Sequence, residues 1–414
     1  MRSKLMILII IIGIFIVGMS CAEAFDKKVV ESRKKLLAHY MPWYVSKPFS
    51  NQWGWHWTMN YYDPDEVQPN GQRRVASHYY PLIGPYDSGD PDVLECHTLL
   101  MKFAGIDGII IDWYGIEDFY DYSMINRNTQ HIINYAKKAG LEFAICYEDQ
   151  AIKQMIQAGY ITEEKAVNYG QTAMCWLQDH FFNDQAYVKV DNRPVLLVFG
   201  PQYYKGNQWE QLFSVLSQRP FFYTLNYSQD GADGAFGWIP VSDVTTTPEQ
   251  WRGYLANLYA ENTRKTCVGV IFPQFHDIYE NVGVRKSYGS LDAQGVKTFE
   301  ETLDIALKSN CEFIQIATWN DYGEGTIIEP TVEFGYRYLE IIQQRRRQEL
   351  GNDFSYTTDD LRLPIMLYQL KKKYQHNQSV MKDLSKCSEL LFSGNLSDAR
   401  ILILQVFHLG TVIK

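Results

Sequence analysis

Two carboxylates stand three residues apart in Trp319-Asn320-Asp321-Tyr322-Gly323-Glu324, directly after the apolar run Phe313-Ile314-Gln315-Ile316. A strand that delivers Asp321 and Glu324 onto a glycine-bearing turn beside Trp319 and Tyr322 suits a site where rings hold a sugar and carboxyl groups cut its bond. Carboxylates crowded on one rim repel each other, so one keeps its proton near neutral pH as an acid while another stays ionised as a base. A competing reading makes Asp321 and Glu324 the capping residues of a helix beginning near Thr326, since acidic side chains favour a first turn. Glu329, just before Pro330, reads as a group that orients the loop.

Groups of similar chemistry follow other apolar runs. His39, Tyr40, Trp43 and Tyr44 come after the first; Asp112, Trp113 and Tyr114 after the second; Tyr147, Glu148 and Asp149 after the third; Gln274, His276 and Asp277 after the seventh. In a parallel barrel the catalytic groups come from the carboxyl ends of the strands, so these positions would share one rim. Trp55, Trp57 and Trp113 offer faces on which sugar rings stack, although any one of them is equally well explained by core packing. A metal set of His276 and Asp277 with Asp112 and Glu148 is the weaker reading, because no HExxH or repeated His spacing supports it. There is no G-x-S-x-G elbow and no glycine arrangement that would cradle phosphate. No metal and no cofactor are expected.

The elements that must position these residues follow from periodicity. Short apolar runs alternate with longer segments of helical period, and eight strands are predicted at Leu36–Tyr40, Gly108–Ile111, Glu142–Cys146, Val195–Phe199, Phe222–Leu225, Phe236–Ile239, Val268–Phe272 and Phe313–Ala317. That alternation and count predict an α/β chain folded as a (β/α)8 TIM barrel. Helices are expected over Asp92–Ala104, Thr129–Ala139 and Thr298–Lys308, with start or stop signals at Gly89-Asp90-Pro91 and Gly140. The stretch Pro42–Leu82 lacks a period and holds Trp43, Trp53, Trp55, His56 and Trp57, as a first loop on the catalytic face would. Residues 25–352 form the barrel domain in this reading. From residue 353 to 414 a basic helical extension follows, with helices over Leu367–Tyr374, Val380–Phe392 and Ser397–Phe407, either packed on the barrel or forming a small appendage.

The net charge of −9 argues against nucleic acid or an anionic membrane surface as the partner. An uncharged oligosaccharide or polysaccharide fits better, and 29 Tyr, 21 Phe and 10 Trp supply more rings than a plain core asks for. The dense basic run Arg345-Arg346-Arg347 reads as the solvated face of a helix. Arg2 and Lys4 precede an unbroken apolar run from Leu5 to Met19, and Ala22-x-Ala24 offers a cleavage site, so residues 1–24 read as an export signal. That places the mature chain outside the cytoplasm, secreted or periplasmic, as a monomer without a membrane span; lipid attachment at Cys21 is the alternative. Cys146, Cys267 and Cys311 lie in or beside apolar runs and read as buried free thiols.

His39-Tyr40-Met41-Pro42-Trp43-Tyr44, Ala104-Gly105-Ile106-Asp107-Gly108 with Ile111-Asp112-Trp113-Tyr114-Gly115, and Trp319–Glu324 together resemble the glycoside hydrolase family 71 and 99 group. The resemblance runs from Leu36 to Tyr368 and implies a (β/α)8 barrel that cuts α-linked glycans, α-mannan or α-glucan, from within the chain. It implies Glu324 as the general acid/base. Asp321 would assist as a base, toward water or toward the sugar 2-hydroxyl, and Glu148, Trp113 and Tyr114 would contact substrate. The mannosidase family carries two Glu where this chain has Asp321 and Glu324. The Asn-Asp-Tyr-Gly-Glu loop is similar to family 71, whereas Gly325-Thr326 and Glu329-Pro330 are closer to the mannosidases. A barrel that binds carbohydrate without cutting it would present the same aromatic rim.

Overall fold

Consecutive side chains of a strand point to opposite faces, and a barrel strand packed on both faces must be apolar at nearly every position. The runs that satisfy this form eight parallel strands: β1 (Lys35–Tyr40), β2 (Gly108–Trp113), β3 (Glu142–Tyr147), β4 (Arg193–Val198), β5 (Phe221–Leu225), β6 (Gly234–Phe236), β7 (Cys267–Ile271) and β8 (Phe313–Ile316). The computed structural model describes residues 33–261 and 266–412. The export signal and Cys21 lie outside them. Each strand pairs in parallel with its neighbour and β8 returns to β1, with Lys35 opposite Phe313 and Ala38 opposite Ile316, so the sheet closes. The predicted TIM barrel is the observed fold.

Alternation splits the core in two. Leu37, Ile110, Ala144, Cys146, Leu197, Tyr223, Val270 and Phe313 pack together inside the barrel. Leu36, Ala38, Ile109, Ile111, Phe143, Ile145, Leu196, Ile314 and Ile316 face the helices. Helix α1 (Pro91–Ala104) starts where Asp90 caps the Asp92 N–H and Pro91 needs no hydrogen bond, and it stops at Gly105 with φ 85°. Helix α2 (Tyr122–Ala139) begins seven residues before the predicted Thr129. Its buried Asn128 interrupts the apolar period, because that side chain donates to the Pro42 carbonyl at 2.9 Å and ties the helix to the loop after β1.

Strand β6 lies earlier than its predicted span. Gly234 and Ala235 pair with β5, and a Cβ at Gly234 would meet the Thr266 carbonyl at 2.4 Å, so the strand runs through residues that no β propensity marks. The chain passes from β5 to β6 without a helix. Cys267 and Cys311 form a disulfide rather than free thiols, because pairing of β7 with β8 brings their Cα atoms to 5.1 Å. Cys146 stays a buried thiol.

Helix α3 (Lys297–Lys308) precedes β8 and α4 (Arg337–Leu350) follows it. The basic run on α4 is a solvated face only in part: Arg347 is exposed and Arg345 half-buried, but Arg346 is fully buried, donating to the Gly105 carbonyl at 2.8 Å and pairing with Asp107 and Glu349. Beyond it, α5 (Leu363–Tyr374) packs on α1, α6 (Gln378–Ser393) on α1 and α2, and α7 (Leu396–Val412) on α5 and α6, all sharing one apolar cluster through Leu367, Leu384, Leu391 and Ile403. The tail therefore packs on the barrel. Among the described residues no helix is long and apolar enough to cross a membrane.

Candidate active site

Inward-pointing positions at the carboxyl ends of β1, β2, β3 and β8 determine what lines the mouth. Alternation sends His39, Asp112 and Cys146 inward and Tyr40, Trp113 and Tyr147 outward. Glu148 follows β3 and Asp321 and Glu324 follow β8; Glu324 acts electrostatically on Glu148, Asp321 on Glu324, and all three are linked to Asp112. The barrel thus collects four carboxyl groups from three strand ends.

The Asp321–Glu324 loop is held from every side. Asp321 Oδ1 accepts the Glu324 N–H at 3.0 Å, and the Asp321 N–H donates to Thr318 Oγ1 at 2.8 Å. Asp321 therefore caps its own turn; no helix begins near Thr326, and the next one is α4. Asn320 is fully buried, accepting from the Met41 N–H at 2.8 Å and donating to the Met41 carbonyl and to Tyr86 Oη at 3.0 Å each. The Tyr44 hydroxyl donates to the Asn320 carbonyl at 2.8 Å and accepts the Tyr322 N–H at 3.0 Å. On the far side the His276 and Ile278 N–H groups donate to the Glu324 and Gly323 carbonyls at 2.9 and 3.0 Å, and Gln274 donates to the Gly325 carbonyl at 2.9 Å. Gly325 has φ 67°, and a Cβ there would lie 2.6 Å from the His276 carbonyl, so only glycine lets the two loops meet. Glu329 orients this assembly as expected: it accepts from Tyr86 Oη at 2.9 Å and lies 3.1 Å from His97 Nε2.

Burial and mutual repulsion set the protonation states. Desolvation first, then the Asp321 charge, pushes the Glu324 carboxyl well above the usual range, with Arg285 opposing. Burial raises Asp321 only to about 6, because the N–H groups of Glu324 and Gly323 hydrogen-bond its charged form. Asp112 is raised well above the usual range by burial and by Asp321, and Glu148 by burial and by Asp112, Gln150 opposing through a 2.9 Å hydrogen bond. Glu324 keeps part of its surface open, and its Oε2 has no hydrogen-bond partner. Two neighbouring acids with unequal proton affinity are what acid/base cleavage needs.

Not every ring and polar group expected on the rim is there. Trp113 is fully buried on the outer face of β2, stacked on Trp176 at 5.7 Å with its Nε1 donating to Asn126 at 3.0 Å. Tyr40 faces α1, its hydroxyl 3.1 Å from His97 Nδ1, and Trp319 packs edge-on against His97. Trp57 is buried and donates to the Tyr86 carbonyl at 2.7 Å. Tyr40, Trp57 and Trp319, with Tyr44, Asn320 and Tyr322, build the scaffold beneath the loop, Trp113 packs away from it, and all are buried with no free face for a ligand. Trp43 and His56 stack at 4.3 Å beside the mouth, His56 lying 3.7 Å from Asp121 with its imidazolium disfavoured by burial. Trp55 is exposed next to them, Tyr114 is half-buried against Tyr122, and His276 is exposed and stacked on His78 at 3.7 Å.

Sequence reading missed Tyr279 and Arg285, which come from the long excursion between β7 and α3. Arg285 stacks on Tyr279 at 4.0 Å and on Tyr288 at 3.3 Å and is the cation that acts on both Asp321 and Glu324. Nothing local marked them, because that excursion has neither helix nor long strand; its two short strands, Phe275–His276 and Gly289–Leu291, pair with each other, and the second pairs with Val244–Thr245 from the segment after β6, folding the excursion back over the loop.

A sequence profile described as glycosyl hydrolase family 99 matches residues 32–349. The rat protein named glycoprotein endo-alpha-1,2-mannosidase is 23% identical over 364 residues, covering 78% of this chain and 76% of its own. A mouse protein named glycoprotein endo-alpha-1,2-mannosidase-like protein is 30% identical over 345 residues, covering 76% and 73%. The family 99 endo-alpha-mannosidase structure from Bacteroides thetaiotaomicron, in complex with bis-tris-propane, superposes with a TM-score of 0.55 at 18% identity, over 78% of this chain and 99% of that one. The last is a likeness of fold.

Proposed function

Since this chain belongs to glycosyl hydrolase family 99 and is thereby a glycoside hydrolase, we propose that it cuts α-mannosidic bonds within a glycan by carboxyl acid/base catalysis. The observation that carries this reading is the turn on which Asp321 and Glu324 sit together with unequal proton affinity. Glu324, whose hold on its proton is strengthened by burial and by the Asp321 charge, gives that proton to the departing glycosidic oxygen. Asp321 is ionised above about pH 6 and takes a proton. Its side chain is short and already tied to the turn through Oδ1, which supports water, rather than a sugar hydroxyl, as the proton's source. The α-mannosidic preference over α-glucan rests on the names of the mammalian relatives and on the Gly325-Thr326 and Glu329-Pro330 residues.

Export of the chain is part of the same proposal. It is supported by the Arg2-Lys4 charge before the apolar run, by Ala22-x-Ala24, and by the Cys267–Cys311 disulfide, a bond that persists in oxidising compartments. Incubation of the purified protein with α-mannans and α-glucans, with NMR of the first product anomer, tests substrate and outcome together. Oligosaccharide release from α-mannan is expected, and the first product anomer shows whether the proton Asp321 takes comes from water or from the sugar. Release from α-glucan alone, or near wild-type turnover by Glu324→Gln, would overturn the reading.

A further inference from the structure

Inside the barrel, toward the carboxyl ends of the adjacent strands β1, β2 and β3, His39, Cys146 and Asp112, the last a member of the carboxyl cluster, bring a nitrogen, a sulfur and an oxygen all within 4.8 Å of one another. All three residues are buried, and both His39 Nε2 and Asp112 Oδ1 lack a hydrogen-bond partner. Buried polar atoms are nearly always satisfied, so an unpartnered atom on each of two clustered residues, with a thiol beside them, calls for an explanation. The tautomer of His39 is fixed from behind. Gln315 on β8 donates its amide N–H to the Gly237 carbonyl, which turns its Oε1 toward His39 Nδ1 at 3.2 Å. Nδ1 must then carry the proton, and Nε2 presents a lone pair to the barrel interior. A ligating histidine whose other nitrogen is held by a fixed acceptor is the arrangement metal sites use to orient the ring.

We propose that His39 Nε2, Asp112 Oδ1 and Cys146 Sγ bind one zinc-class divalent cation inside the mouth of the barrel. The mixed N, O, S set selects zinc or cobalt over magnesium or calcium, which prefer oxygen alone. Ligand bonds of about 2.0–2.3 Å put tetrahedral ligand atoms about 3.3–3.8 Å apart, so adjustment of about 1 Å closes the site around the ion. The cation displaces the Cys146 thiol proton to solvent and holds Asp112 as its anion, leaving the fourth position open toward the cleft. This inference rests on the barrel's interior geometry and is independent of the roles of Asp321 and Glu324.

The test is titration of the chelator-treated, full-length protein with Co2+, read by absorption and by isothermal calorimetry, followed by displacement with Zn2+. One Co2+ per chain, with a near-ultraviolet thiolate-to-cobalt band, is expected. Cys146→Ala should abolish that band, and Gln315→Leu should weaken binding by roughly 10–100-fold through loss of ring orientation. Should Cys146→Ala fail to fold, Cys146→Ser replaces it, with circular dichroism confirming the barrel. Glu324→Gln should bind Co2+ as the wild type does, which keeps a failed catalytic reading distinguishable from a failed metal site. No stoichiometric binding, or a charge-transfer band that survives removal of Cys146, would overturn the proposal.

Discussion

Asp321 and Glu324 differ in their free N–H neighbours more than in burial, and that difference predicts a pH profile. Asp321, at about 6, must be ionised to take a proton, so kcat/KM should rise as pH passes through about 6; it should fall again at higher pH as Glu324 loses the proton it has to give. Asp321→Asn should lower the rate by orders of magnitude, and a profile of wild-type shape and height in that variant would remove Asp321 from the chemistry. The same shifts run against stability. A carboxyl whose folded value lies above its unfolded one stabilises the fold fully below the unfolded value, and that contribution is lost as pH rises through the folded value. For Asp321 the window lies between about 4 and about 6. Asp321→Asn should therefore raise stability at pH 7 by on the order of 1–3 kcal/mol, seen in thermal unfolding, with the gain vanishing near pH 4, and Glu324→Gln should shift stability in the same direction. Equal melting temperatures for variant and wild type at pH 7 would count against the buried, repelling cluster.

At the scale of elements, what holds the β8 loop is the first loop. Tyr44→Phe removes both the donor to the Asn320 carbonyl and the acceptor of the Tyr322 N–H, leaving a buried N–H unsatisfied at roughly 1–3 kcal/mol. Because Tyr44 is buried under the loop, the variant should lose kcat with little change in KM; an effect on KM alone would make Tyr44 a ligand contact instead. At the opposite end of the barrel, the Cys267–Cys311 bond closes a 44-residue separation; replacing both by Ala should lower stability by roughly 2–4 kcal/mol in urea unfolding. The strands carrying Asp112, Glu148 and the β8 loop were legible because buried parallel strands are continuous apolar runs that end abruptly in polar residues. The direction of each side chain at those ends was not. Trp113 and Asp112 are neighbours in sequence, and the pleat alone sends one to the helices and the other to the cleft. Register is a tertiary property, as is the folding back of the excursion that brings Arg285 over the acids.

For the whole molecule, the C-terminal helices extend the helical layer that positions β1 and β2. Their attachment contains a buried ion pair, Lys371 Nζ to Glu95 Oε1 at 2.7 Å, with side chains only 10% and 7% exposed, where α5 crosses α1. Lys372 adds half-exposed contacts to Asp90, the cap of α1, and to Asp92. A buried pair offsets its own desolvation only while both members are present. Lys371→Met strands the Glu95 carboxylate in an apolar layer and should destabilise the protein by roughly 3–5 kcal/mol. Adding Glu95→Leu removes the stranded charge, so the double variant should recover most of that loss, and the cycle should give a coupling of roughly 1–3 kcal/mol. Because α5, α6 and α7 share one apolar cluster with the barrel's helices, the loss should register in a single unfolding transition. A separate early transition for the tail in the Lys371→Met variant would show instead that the helical extension folds as its own unit.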